Sequence, residues 1–219
     1  MRLNSDTFTF LKNLKKHNNK EWFDKNRKEY DIVRNDFIEL VQKIIDETLK
    51  FDTSIGDLSA KKCVYRINRD VRFSKDKSPY KSSFAASFSR GGRNSHFAGY
   101  YFHVEPGDIF IGGGIWMPEA PNLQKVRQEI DYNLKEFIKI ITKKSFQKTF
   151  GNMSGEKLSR PPKGYETDNP GIEYIKHKSY LFGTELSERD LNKQDADKFV
   201  AAIFKELSPF IHFLNRALE

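Results

Sequence analysis

The amino-acid sequence predicts an α+β fold, an antiparallel meander of about four strands packed against long amphipathic helices. Three observations carry that expectation. Apolar residues recur at helical spacing near the N-terminus, alternate with a two-residue period between residues 62 and 116, and return to helical spacing beyond. Within the alternating region, Arg90-Gly91-Gly92-Arg93-Asn94 and Glu105-Pro106-Gly107-Asp108 have hairpin-turn chemistry, so at least the last three strands should be neighbours. With 219 residues, 37% of them hydrophobic, the chain can bury one sizeable core, and a single domain over 1–219 is expected.

Taken in order, Ser5 or Asp6 caps a short helix bearing Phe8, Phe10, Leu11 and Leu14, which His17-Asn18-Asn19 ends. A long helix follows from about 21 to 49, with Trp22, Phe23, Tyr30, Val33, Phe37, Leu40, Val41, Ile44 and Ile45 on its packing face. Strands are expected at 62–73, 83–90, 96–105 and 109–116. The next helix, 122–142, carries Leu123, Val126, Ile130, Leu134, Phe137, Ile138 and Ile141 and should cover the sheet together with the first long helix. A C-terminal helix over 195–218 repeats Phe199, Val200, Ile203, Leu207, Phe210 and Leu214, and Pro209 should kink or divide it. Residues 151–171, with Pro161-Pro162 and Asn169-Pro170-Gly171, form the one long irregular stretch, expected as a lid over the basic motif described below or else as a linker.

Composition narrows the function classes. Nineteen Phe and nine Tyr are too many for a disordered chain. No run approaches the roughly 20 apolar residues of a membrane span, and the N-terminus lacks the apolar core of a signal peptide, so a cytoplasmic protein is expected. One cysteine, Cys63, excludes an intramolecular disulfide and a cysteine-cluster metal site and reads as a buried, inert thiol.

The chemistry concentrates in residues 66–81. Six basic and two acidic side chains place +4 of the chain's formal +8 in these 16 residues. Such a cluster repels itself unless an anion, from the protein or from a ligand, sits among the cations. On an extended chain Arg66, Asn68, Asp70 and Arg72 share one face, where guanidinium edges suit a carboxylate or phosphate. Pro79 stiffens the following turn, and Phe73 and Tyr80 read as apolar anchors. The expected ligand-binding set is Arg66, Arg69, Arg72, Lys77, Tyr80 and Lys81, beside Trp116 and helped by Arg127 and Lys163. If turnover occurs there, Asp70 or Asp76 is the candidate general base or metal contact. The plain alternative is an internal brace in which Arg–Asp pairs consume the cations.

The pattern Arg66-x-x-Arg69-Asp70-x-Arg72-Phe73-Ser74-x-Asp76-Lys77-x-Pro79-Tyr80-Lys81 resembles the signature of a conserved, uncharacterised bacterial and fungal family catalogued as domain of unknown function 2461. Further matching segments are Asn18-Asn19-x-Glu21-Trp22-Phe23, Gly99-Tyr100-Tyr101, Gly112-Gly113-Gly114-Ile115-Trp116-x-Pro118, Arg127 with Ile130, and Pro162-Lys163-Gly164-Tyr165. The resemblance implies one full-length domain and brings no activity, cofactor or catalytic residue to transfer.

His103 and Glu105, two residues apart on one strand face, are further catalytic candidates as an acid/base or metal pair. Two ligands are too few for a metal site, so none is assigned. The glycines at 112–114 signal a bulge or a close backbone approach, with neither a Walker loop nor a dinucleotide pattern. An anionic small molecule is the expected partner. A nucleic acid is the alternative, supported by the basic charge and the aromatic strands and weakened by the lack of any zinc-finger or other specific motif.

Overall fold

The computed structural model describes residues 1–219 and has α+β architecture. Helices α1 (Ser5–Lys16), α2 (Lys20–Lys25) and α3 (Arg27–Thr48) lead to a short helical turn, α4 (Ala60–Cys63). Strands β1 (Phe84–Phe88), β2 (Gly99–Glu105) and β3 (Asp108–Ile115) follow. Next come α5 (Ala120–Tyr132), α6 (Leu134–Ile141), α7 (Lys144–Phe150) and α8 (Ile172–Ile175). Strand β4 (Tyr180–Leu186), α9 (Glu188–Leu191) and α10 (Ala196–Arg216) complete the chain. The four strands form one antiparallel sheet in the order β1-β2-β3-β4. No helix is long and apolar enough to cross a membrane.

Several boundaries depart from expectation for local reasons. The expected strand 62–73 is instead the α4 turn followed by an irregular segment touching the sheet through single bridges, Val64 to Ala86 and, within itself, Asn68 to Tyr80. The fourth strand is β4, which pairs with β3 from Ile109 opposite Leu186 to Ile115 opposite Tyr180. The helix expected at 21–49 divides at Asn26, whose side chain donates to the Trp22 carbonyl and closes the first piece. The helix expected at 122–142 likewise divides at Asn133. Pro209 does not divide α10: Lys205, the carbonyl that loses its amide donor to proline, accepts from the Ser208 hydroxyl at 3.0 Å.

Alternation decides how the sheet is buried. Tyr100, Phe102 and Val104 of β2, Ile109, Ile111 and Ile115 of β3, and Tyr180 and Phe182 of β4 are buried. They pack under α3 and α10: Phe37 stacks against Phe84 and Phe102, while Phe204 packs on Phe88 and Tyr100. The second covering helix is therefore α10 rather than the 122–142 segment, which packs on α10 from outside. Forty-eight buried apolar residues form one continuous cluster. Cys63 is buried, and burial pushes its thiol up to about 11, consistent with an inert role.

Glycines let the strands come together. A Cβ on Gly113 would lie 2.5 Å from the Gly99 carbonyl and 2.9 Å from the Leu207 side chain, and one on Gly114, at φ 131°, would run into the Tyr180 carbonyl. The glycines at 112–114 thus serve a close approach of strand to strand and of helix to strand.

One polar network centred on buried Asp52 ties the helical layer to the sheet. Asp52 accepts from Tyr100 Oη at 2.5 Å and Ser54 Oγ at 2.5 Å and pairs with His212 Nε2 at 2.9 Å. Burial raises the Asp52 carboxyl, but hydrogen bonds from His212, Ser54 and Tyr100 outweigh it and hold the carboxyl down at about 2. The same bond to Asp52 raises His212 against its own partial burial.

Two outcomes follow. Phe37→Ala, at a fully buried position, should lower unfolding free energy by about 3 to 5 kcal/mol in urea titration. The raised His212 contributes stability in full below its ordinary pKa of 6.5, and that contribution fades as pH rises through the higher folded value. The stability gap between wild type and His212→Gln should therefore shrink between pH 5.5 and 8.5. Asp52 adds stability above 3.8 that disappears only as pH falls through about 2.

Candidate functional site

The sheet face opposite α3 and α10 has no helix over it. Strand alternation points Ser87, Tyr101, His103, Glu105, Phe110, Gly112, Gly114, Leu181 and Gly183 to this side. The registers place Ser87, Tyr101, Gly112 and Gly183 in one row across all four strands. Two glycines in that row leave bare backbone, forming the floor of a cavity of about 730 Å³. Its walls are aromatic: Tyr65, Phe97, Tyr101, Phe110 and Trp116 line it, with Ser89, Arg93, Asn94, Ser95 and Asn122 as polar groups. Trp116 and Met117 stand exposed at its rim, and Met117 is the one non-glycine residue with positive φ, 42°, its amide held by Ser179 Oγ at 2.9 Å.

The basic motif borders this cavity at the β1 edge. The Tyr65 amide donates to the Ala85 carbonyl, Lys81 N to Ile67 O, and Arg69 N to Pro79 O, so residues 64–81 make a small hairpin extending the sheet. Asn18 clips the hairpin to the turn between α1 and α2, accepting from the Tyr80 amide at 3.0 Å and donating to its carbonyl at 2.9 Å. The Tyr80 ring stacks on Phe23 with centroids 4.0 Å apart. Tyr80 is therefore an anchor, as expected. Phe73 is not: at 96% exposure it stands free at the hairpin tip with Arg72 over its ring.

The charges of the motif are partly braced. Arg69 pairs with Asp76, and Arg72 grips Asp70 through Nε at 3.0 Å and Nη2 at 2.7 Å. Asp76 also accepts from the Ser78 amide and hydroxyl, which hold its carboxyl far below the usual range ahead of the Arg69 contribution. The Asp70 carboxyl is likewise lowered, chiefly by Arg72. Both candidate bases are thus committed to turn and ion-pair geometry. Six cations less two paired leaves Arg66, Lys75, Lys77 and Lys81 without a carboxylate. Lys77 donates to the Val71 carbonyl. Lys81 lies 5.3 Å over the Tyr65 ring, its ammonium pKa lowered by burial and by Arg66.

Other expected members lie elsewhere. Arg127 is buried in α5 and donates to the carbonyls of Ile175 and His177 at the end of α8. Lys163 is exposed on the 151–171 segment. That segment does not close over the motif: Ser154 bridges to Leu181 and Lys157 to His177, which puts it along the β4 edge, across the sheet from the hairpin. It supplies Ser154 to the far wall of the cavity. Of the expected set, Lys81 is at the cavity edge beside Tyr65 and Trp116 lines the cavity, while Tyr65, Arg93 and Phe110 line it without having been expected there.

His103 and Glu105 sit at one end of this open face. His103 Nδ1 is 3.2 Å from Tyr101 Oη, its ring stacks on Phe110, and its Nε2 is 3.8 Å from Glu105 Oε2. Burial lowers the His103 pKa despite nearby Asp108 and Glu105. Burial raises Glu105, yet Lys15 and Ser82 outweigh it and lower the carboxyl overall. A second depression, beside His212, is lined by Lys139, Lys143, Glu206, Arg216 and Glu136; Lys143 pairs with Glu206 and Arg216 with Glu136, while Lys139 has no carboxylate partner.

Asn18→Ala should cost about 1 to 3 kcal/mol by stranding both backbone groups of Tyr80. Amide exchange in residues 65–81 should accelerate more than in β2 or β3.

The family described as Conserved hypothetical protein (DUF2461) matches residues 6–213 of the chain. Among the curated proteins and among the solved structures, none matches it.

Proposed function

We propose that this chain, which belongs to the DUF2461 family of conserved hypothetical proteins, binds a small molecule that joins a flat ring to a phosphate or carboxylate. The carrying observation is the cavity of about 730 Å³ on the uncovered sheet face, a size suited to such a ligand. A ring would stack on Tyr65, Tyr101, Phe110 or Trp116 above the glycine floor. Its anionic group would meet Arg93, which lines the cavity, and Lys81 at the Tyr65 edge. The cations without carboxylate partners on the hairpin would draw the anion toward that edge.

One observation favours a second reading. Phe73, exposed among cations at the hairpin tip, together with the aromatic open face, is what a single-stranded nucleic acid would use. Salt separates the two, since binding that neutralises several phosphates weakens steeply as ionic strength rises.

A thermal-shift series with nucleotides, sugar phosphates, aromatic carboxylates and a short single-stranded oligonucleotide tests the proposal. At 100 times the dissociation constant, binding stabilises by about 2.7 kcal/mol, a clear rise in melting temperature. A ring-bearing anion should produce that rise, and Arg93→Ala should reduce it while Lys139→Ala, on α6 beside the second depression, leaves it unchanged. No rise with any compound would defeat the reading.

A further inference from the structure

We propose that His103, Glu105 and Asp108 bind one divalent first-row transition cation at the end of the open-face groove. His103 and Glu105 are two residues apart on β2 and share its open face. The turn Pro106-Gly107 makes Asp108 the register partner of Glu105, so the aspartate joins the same side. Sequence reasoning counted two ligands; the hairpin supplies the third. One donor atom from each residue lies within 4.8 Å of the others. Donors about 2.0 to 2.2 Å from a tetrahedral zinc lie about 3.4 Å apart, so the triad closes by an inward turn of exposed Asp108 with a slight approach of His103 to Glu105.

The surroundings hold the two inner ligands by the atoms a cation would not use. Glu105 Oε1 accepts from Lys15 Nζ at 3.0 Å and Ser82 Oγ at 2.8 Å, which turns Oε2 toward His103. His103 Nδ1 meets Tyr101 Oη and its ring is stacked on Phe110, which directs Nε2 back toward Oε2. These two atoms face each other at 3.8 Å, longer than a hydrogen bond. Outer contacts of this kind orient metal-binding imidazoles and carboxylates.

Charge and donor type select the ion. Glu105 is already paired with the Lys15 ammonium at 3.0 Å, so hard cations that depend on net negative charge gain little here. The imidazole favours zinc and its neighbours over magnesium or calcium. Three protein ligands also leave a coordination position for water, the arrangement of reactive rather than purely structural zinc sites. The inference does not depend on the groove ligand, because the ion is measured alone.

Calorimetric titration of chelator-treated, desalted protein with zinc chloride tests it, with magnesium chloride in parallel. One equivalent of zinc should bind, at least tenfold more weakly in Asp108→Asn and in His103→Gln. Asp108 is exposed at a turn, so Asp108→Asn should keep the wild-type melting temperature without metal. Absence of stoichiometric zinc binding, equal affinity in both variants, or magnesium binding as tight as zinc would each overturn the assignment.

Discussion

The structure depends on burying one face of a four-stranded sheet while leaving the other open. Helices α3 and α10 together supply the apolar surface for the inner face, and each strand can offer only alternate residues to them. The residues on the outer side are then free of the core, and they are the ones that line the groove. Tyr101 points outward because Tyr100 and Phe102 point inward. Site and core are two halves of one periodic pattern.

The glycines join these halves. At Gly112, Gly113 and Gly114 a side chain would strike neighbouring strand backbone, so all three positions belong to the packing of the sheet. Gly112 and Gly183 in the outer row leave the backbone bare, giving a flat ring room to lie against it. The groove walls come from connections at both edges, Tyr65 from the basic hairpin and Ser154 from the 151–171 segment. A packing requirement and a binding surface therefore use the same short stretch of β3.

Much of this was legible in the sequence, and what was missed has physical reasons. Strands β1, β2 and β3 were readable because alternation persists between clear turns, and one-sided burial by the N-terminal helix followed from its apolar stripe. Strand β4 was hidden because its seven residues stand between helical stretches and their partners lie far back in the chain. The two-residue alternation of Tyr65, Ile67, Val71 and Phe73 predicts a strand over 62–73, yet the buried residues are Val64 and Ile67, three apart, as on an irregular edge. Both unexpected helix breaks fall on asparagine, Asn26 and Asn133, a residue suited to helix ends. The basic motif was visible, and its two carboxylates leave most of its cations without partners, but Arg69 and Arg72, expected in the unpaired ligand-binding set, are the two that Asp76 and Asp70 take up. The motif's spatial relation to Arg127 and Lys163 was not visible, since strand order decides which edge each segment joins. Asp108 was within reach through the two-residue turn that sets it opposite Glu105.

The account centres on the open sheet face as the place where a ligand sits, and amide chemical-shift mapping examines that face residue by residue. The nucleotide or other ring-bearing anion that most raises the melting temperature would be titrated into isotopically labelled protein. The account predicts the largest shifts at Tyr101, Gly112, Gly114, Gly183 and the Trp116 indole, with α3 and α10 little changed. Shifts confined to the hairpin tip at 70–78, or centred on the depression beside His212, would contradict it.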